Sequence, residues 1–193
     1  MKKAERQTQI LASAARLFAS GRFDEVLMDD IAREAGVAKG TLYSYFPDKE
    51  ELYFAVVFDG ISKLNEKLTA RGDEQVTPEE RLREMMHAIV SFFKQNRFFF
   101  KLMSIEDSKS EAGRGVNRKR WHEERHRQMD AIEAVLQNGV EAGVFEIHHL
   151  KIEARILRDM VRSALQSRED RLGVDEIVDT ILRIFLRGVQ KTD

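Results

Sequence analysis

The sequence predicts an all-α protein of about nine helices, with a small N-terminal unit followed by a larger helical body. Three observations predict it. Apolar residues recur three and four positions apart along nearly the whole chain, which lines them up on single helix faces. No segment shows the alternation of a half-buried strand. The only two prolines, Pro47 and Pro78, stand where one helix would stop and another would start. The composition agrees: 42% of the 193 residues are hydrophobic and twelve are Phe, enough to fill a core. The absence of Cys removes disulfides, thiol catalysis and Cys-ligated zinc.

In chain order, Ile10, Ala14 and Phe18, flanked by Leu11 and Ala15, mark an amphipathic helix over 4–20, with Gly21 placed to end it. Short helices over 28–35 and 39–46 stop at Gly36 and Pro47. Asp48 then caps a longer helix, with Glu51 in the reciprocal capping-box position. Its apolar face runs through Tyr53, Val57, Ile61, Leu64 and Leu68 towards a stop near Arg71-Gly72-Asp73.

Thr77-Pro78-Glu79-Glu80 opens the next helix with an N-cap, a proline at the first position and acid in the first turn. Leu82, Met85, Met86, Ile89, Val90, Phe92 and Phe93 cover a wide arc, which places this helix centrally in its domain. A short helix over 97–106, a loop over 107–116 and a long helix over 117–142 ending at Gly143 come next. Helices over about 150–166 and 174–190 complete the chain. This divides the chain at 47: residues 1–47 as a head, and 48–193 as a body entered along a continuous helix.

The stretch 28–47 has the parts of a helix-turn-helix: small Ala32 where the helices touch, Gly36 at the turn, and Ile31, Ala35, Val37, Leu42 and Tyr45 at apolar positions. The same skeleton also serves an ordinary αα-corner. The decoration favours DNA binding over the corner, because a short helix carrying Lys39, Thr41, Tyr43, Ser44 and Tyr45 is too polar and too aromatic for a purely buried one. Its hydroxyls, ammonium and phenols suit phosphate oxygens and a DNA major groove.

With these residues in view, positions 10–52 resemble the N-terminal domain of the TetR/AcrR family of transcriptional regulators. The resemblance rests on Ile10-Leu11, Ala14-Ala15, Leu17-Phe18, Gly21, Phe23, Ile31-Ala32 and Ala35-Gly36-Val37. It continues through Lys39-Gly40-Thr41-Leu42-Tyr43, Tyr45-Phe46-Pro47 and Lys49-Glu50-Glu51-Leu52. It implies a homodimeric repressor, with Lys39, Gly40, Thr41, Tyr43, Ser44 and Tyr45 forming the recognition surface on double-stranded DNA and Lys49 holding a phosphate. It also implies a small-molecule effector in the C-terminal domain that releases the operator. The expected route is the helix from Asp48: a ligand among 85–129 would displace it and change the spacing of the two recognition helices. Leu27 and Ala38 depart from the family, which commonly has Thr and Ser there. Asp29 is the expected substitute cap for the second helix, at some cost in register.

Charge gives no bulk argument for DNA: the net charge is −1, and residues 1–49 hold eight basic and seven acidic side chains. Affinity must therefore come from placement of a few cations, at 2, 3, 6, 39 and 49, doubled in a dimer.

In the body, five of the twelve Phe lie between 92 and 100, near several Met. Core packing explains any one of them. As a set, Met85, Met86, His87, Phe92, Phe93, Phe99, Met103, Trp121, Arg125, Met129 and Met160 are the expected lining of an adaptable pocket for an apolar or amphipathic effector. Asn96, His122 and His126 are further polar groups that could orient it. His122 and His126 have the i, i+4 spacing of a chelating pair, but Arg118, Lys119, Arg120, Arg125 and Arg127 surround them, so no metal and no cofactor is expected. The apolar faces of 150–166 and 174–190 pair with a second copy in the family and pack internally otherwise; the dimer is favoured, with Arg155, Arg158, Arg183 and Arg187 outside.

No Gly-rich phosphate loop, nucleophile elbow or His-pair with a glutamate base is present, so no catalytic residues and no enzyme are expected. A DNA-binding architectural protein without a small-molecule ligand stays open as the competing reading. Met1-Lys2-Lys3 begins like a signal peptide, but Arg16 interrupts the apolar stretch behind it. The longest uncharged runs are about nine residues against roughly 20 for a membrane span, so a cytoplasmic protein with no membrane partner is expected.

Overall fold

The computed structural model describes residues 3–69, 76–108, 116–166 and 172–189. Among them are nine α-helices and no strand: α1 (Lys3–Ser20), α2 (Met28–Glu34), α3 (Lys39–Tyr45), α4 (Lys49–Thr69), α5 (Pro78–Gln95), α6 (Arg97–Ser108), α7 (Val116–Glu141), α8 (Leu150–Gln166) and α9 (Val174–Val189). A single 3-10 turn, Phe23–Glu25, precedes α2 and has no counterpart in the sequence pattern. The expected stop near Arg71-Gly72-Asp73 lies outside the described residues, as do Lys2 and most of the expected 107–116 loop. Residues 107 and 108 extend α6, and 116 opens α7.

The chain forms two compact units, interleaved in sequence. The first comprises 1–63 and 96–121, the second 64–95 and 122–193. The division expected at 47 does not coincide with either limit, because α4 and α7 each contribute to both units.

In the first unit, α1 packs against α2 and α6, and α2 against α3. Ile10, Ala14, Ala15 and Phe18 form the buried face of α1, meeting Ile31, Ala32, Ala35 and Leu42 in one core. The α2–α3 turn is made by Gly36, whose φ of 60° is open to Gly without the penalty a Cβ brings. Its N–H donates to the Arg33 carbonyl (3.1 Å) while the Val37 N–H reaches back to Ala32 (3.0 Å), closing the end of α2. Gln9 Nε2 donates to the Ala35 carbonyl (3.0 Å), tying α1 to this turn. Gly60 of α4 is required for a different reason: a Cβ there would lie 2.2 Å from the ring of buried Phe99 on α6.

Helix α1 ends at Ser20, immediately before Gly21 as expected, but Gly21 does not take the left-handed conformation of a C′ glycine. The positive-φ glycines among the described residues are Gly36 and Gly143, and the Gly21 N–H simply continues the ladder to Leu17 (3.1 Å). Asp48 does cap α4, its Oδ1 accepting the Glu51 N–H at 2.8 Å.

In the second unit, α5 packs against α8 and α9, and these two pack on each other. All seven apolar residues expected over the wide arc of α5 are buried, consistent with its central place. Its start is the complete capping box the sequence indicates: the Glu80 N–H donates to Thr77 Oγ1 (3.2 Å), and Glu80 Oε2 accepts from the Thr77 N–H (2.9 Å). The backbone and hydroxyl donors of Thr77 hold the Glu80 carboxyl below its ordinary 4.5. A depressed carboxylate stabilises the fold above its ordinary pKa and loses that contribution as pH falls through the depressed value. Protection of the first-turn amides of α5, measured relative to the unfolded chain at the same pH, is therefore expected to fall as the pH drops through and below the ordinary carboxylate range, and not to do so in Glu80→Gln. An equal loss of protection in both proteins would contradict the capping role.

Candidate DNA interface and effector region

Helix α3 is seven residues long, and Leu42 is its buried residue. Lys39, Gly40, Tyr43 and Ser44 are exposed, and Thr41 and Tyr45 are half-buried. Of the seven sequence-predicted DNA contacts, six thus ride on one short helix held by one apolar anchor. Tyr45 is the most committed of them internally: its hydroxyl donates to the Lys3 carbonyl (3.3 Å) and its ring lies beside Phe46. Ser44 Oγ donates to the Thr41 carbonyl at 2.6 Å.

Neither α2 nor α3 has a side-chain cap: Leu27 and Ala38 occupy the N-cap positions without one. Asp29 is not the substitute cap. It sits inside the first turn of α2, and its carboxylate takes the Lys39 ammonium at 2.8 Å, which raises the lysine pKa. The pairing extends across the surface, with Arg33 on Asp30 and Arg16 on Glu34 (2.9 Å). Lys49 is held by backbone instead: its Nζ donates to the Phe23 carbonyl (2.9 Å) and lies 4.5 Å above the Phe23 ring.

Behind Phe23 an aromatic cluster closes the unit. Phe18 stacks on Phe23 with centroids 5.9 Å apart, and Tyr53 meets both rings edge-on. The Tyr53 hydroxyl donates to Glu106 Oε1 (2.7 Å), a buried carboxylate on α6 whose backbone carbonyl accepts from Arg118 Nη1 (2.8 Å). Burial, then this hydrogen bond, drives the Tyr53 pKa far upward, so the phenol stays neutral and remains the donor. This network joins α4, α6 and the start of α7 through residues far apart in sequence. Beside it lies an open cavity of about 780 Å³, walled by Phe18, Phe23, Tyr53, Phe54, Leu102 and Ile105. Sequence reasoning missed both features; an apolar run such as Leu102-Met103 reads equally as core.

The expected effector residues divide between the units. Phe99, Met103 and Trp121 are buried in the first; Met85, Met86, Phe92 and Phe93 are buried in the second, where Arg125, Met129 and Met160 are half-buried. His87 does not join Met85 and Met86: it is exposed, 3.3 Å from Asp175, in a smaller surface cavity of about 350 Å³ with Arg83 and Val178. Arg125 donates to Gln128, and Arg158 Nη1 lies 3.8 Å from the Met129 sulfur. A polar cluster the sequence did not flag is buried in this unit. Asn65 Nδ2 donates to the carbonyl (3.1 Å) and carboxylate (2.9 Å) of Glu124, with buried Gln128 one turn on. Among the described residues no group of three or more His, Cys, Asp or Glu is placed to hold a metal, and no helix is long and apolar enough to cross a membrane.

Residues 10–56 match the bacterial regulatory proteins of the tetR family, and residues 75–189, more than half of the chain, match the tetracyclin repressor-like C-terminal domain. The protein belongs to the TetR family.

Over 53 residues, 28% of this chain, it is 40% identical to the HTH-type transcriptional regulator EthR of Mycolicibacterium smegmatis, and that alignment spans 24% of the relative. The fold recurs in a tetR-family regulatory protein from Rhodococcus RHA1 (TM-score 0.83, 18% identity, all of both chains). It recurs also in the transcriptional regulator FadR of Bacillus subtilis in complex with stearoyl-CoA (TM-score 0.79, 18% identity, 94% of this chain and 98% of that one). As a TetR-family member the protein is a helix-turn-helix transcriptional regulator, and α2 and α3 are its DNA-binding motif. The missing caps at Leu27 and Ala38 are departures of this TetR protein from the pattern its sequence otherwise keeps.

Proposed function

We propose that this TetR-family protein is a ligand-responsive repressor: a cytoplasmic homodimer that binds a palindromic operator and leaves it when a small apolar or amphipathic effector is bound. The observation that carries the reading is α3, which turns Lys39, Gly40, Tyr43 and Ser44 outward around a single buried Leu42. In this reading residues 1–47 contact DNA and 48–193 serve ligand binding and dimerisation. Lys39 and Lys49 reach phosphates by exchanging Asp29 and the Phe23 carbonyl for phosphate oxygens. The effector lies among Met85, Met86, Phe92, Phe93, Arg125, Met129 and Met160, and acts on DNA binding through α4, which belongs to both units. FadR with its bound stearoyl-CoA supports an amphipathic class of effector on this fold. An effector that prefers the DNA-incompetent form about tenfold lowers operator affinity by about 1.4 kcal/mol.

The dimer is supported by a second apolar stripe. On α8, Ala154, Leu157 and Val161 face the core, while Ile152 and Ile156, one turn apart, stay 56% and 50% exposed. Ile184 of α9 is likewise 54% exposed. Apolar groups left in water on both helices fit an isologous contact with a second copy.

The test is a mobility-shift titration on a palindrome from the protein's own upstream region. Tyr43→Ala and Lys49→Ala are each expected to weaken binding about tenfold, with little change in thermal unfolding for Tyr43→Ala because its side chain is exposed. The absence of any sequence-specific shift by the unaltered protein refutes the repressor reading. Unchanged affinity in either variant refutes that contact.

A further inference from the structure

The cavity beside the aromatic cluster lies wholly within the first unit, and none of the residues expected to hold the effector lines it. At about 780 Å³ it falls in the range of small-molecule sites. Four aromatic residues line it, Phe18, Phe23, Tyr53 and Phe54, with Phe54 meeting Tyr53 edge-on at 5.5 Å. Leu102 and Ile105 supply the α6 side. Four charged side chains rim it, Arg22 and Lys101 against Glu25 and Glu50, so the rim has no net charge with which to select an ion. Two of them are engaged locally, Lys101 donating to the Ala19 carbonyl and Glu25 accepting the Arg22 N–H (3.3 Å). Phe23 and Ile105 remain exposed, leaving apolar surface that an occupant would remove from water.

We propose that this cavity is a binding site for a neutral, flat, largely apolar molecule of about two or three rings, separate from the effector region of the second unit. Its occupancy reaches DNA binding through Phe23. The ring of that residue lines the cavity, while its carbonyl and ring hold the Lys49 ammonium, so a ligand pressing on Phe23 moves the support of Lys49. This second step rests on the reading of Lys49 as a phosphate contact; the site itself does not.

The chain has three tyrosines, two on α3 and Tyr53 in the cavity wall. Full-length protein labelled with 3-fluorotyrosine therefore carries a reporter at the site and two at the recognition helix. The probe is N-phenyl-1-naphthylamine, and its comparator is 8-anilino-1-naphthalenesulfonate, the same rings bearing a sulfonate. The expected result is a saturable shift of the Tyr53 fluorine signal with the neutral probe, at an affinity about tenfold or more above that of the sulfonate. Ile105→Glu places a charge at the rim and Ile105→Trp fills the space; each is expected to weaken the probe about tenfold. The substituted side chain is exposed, and a retained thermal transition confirms folding. No saturable Tyr53 shift, equal binding of the sulfonate, or full binding in both variants overturns the site. With the probe bound, operator affinity is expected to fall severalfold, and unchanged affinity overturns the link through Phe23. Absence of operator binding before any probe is added counts against the repressor reading alone, since the fluorine measurement needs no DNA.

Discussion

Replacing Ile152 and Ile156 together with Glu is expected to turn the protein into a monomer and to weaken operator binding by about two orders of magnitude or more. Both side chains stand in water, on the face of α8 opposite Ala154, Leu157 and Val161. The substitutions therefore leave the packing of α8 on α5 and α9 intact, and the thermal transition of the monomer is expected to persist. In a dimer, however, they set carboxylates against an apolar surface, where an unpaired charge costs on the order of several kcal/mol. The effect on DNA is one of linkage: one bound head holds the second near its half-site, and that effective concentration is worth about 10²- to 10⁴-fold in affinity. Sedimentation and mobility shift check the two halves separately. A variant that still sediments as the unaltered protein does would show that these isoleucines are not the dimer face.

Leu42→Ala is expected to destabilise the protein by about 2–5 kcal/mol, lowering its melting temperature by on the order of 10 °C. Helix α3 has seven residues, too short to persist alone, and its N-cap residue Ala38 offers no side-chain bond. Its position depends on packing against α2, and Leu42, fully buried, is the residue that enters the core. Removing three carbons there leaves a cavity at the one fully buried side chain of α3. Operator binding is expected to fall further than stability alone requires, because Thr41, Tyr43 and Ser44 lose their fixed direction. Leu42→Met, which conserves volume, should cost less than about 1.5 kcal/mol. Equal unfolding curves for Leu42→Ala and the unaltered protein would sink this account. Tyr43→Ala is the counterpart, since that side chain is 42% exposed and should affect DNA without affecting the melt.

Whatever is decided within one or two helical turns is legible in the sequence. The helix starts at Thr77-Pro78 and Asp48 and the stop at Gly36 are local chemistry, and the structure has them where the sequence does. Gly21 misleads because a glycine after a helix permits a left-handed residue without requiring one. The 3-10 turn at Phe23–Glu25 is too short to show any periodicity. Proximity in sequence groups His87 with Met85 and Met86, yet successive residues on a helix point about 100° apart, and His87 faces Asp175 instead. The interleaving of the two units, the Tyr53–Glu106 bond and the cavity in front of it all join segments separated by tens of residues. No local pattern encodes such a meeting. The role of Asp29 shows the same limit in miniature: it reads as a cap because caps are local, whereas its partner lies ten residues on in the next helix.

The ion pairs on the helix-turn-helix carry a consequence for how the protein moves along a chromosome. With Lys39 on Asp29, Arg33 on Asp30 and Arg16 on Glu34, the free head carries its own counterions, covalently attached. In the proposed contact of Lys39 with DNA, a phosphate would have to displace Asp29 and would leave that carboxylate beside its own negative charge, so a stretch of DNA offering no base-edge contacts would hold the protein only briefly. An operator offering such contacts to α3 would offset that exchange and lengthen residence there. Internal neutrality thus sharpens the contrast between passing over DNA and stopping on it, and a near-zero net charge becomes a property of the search.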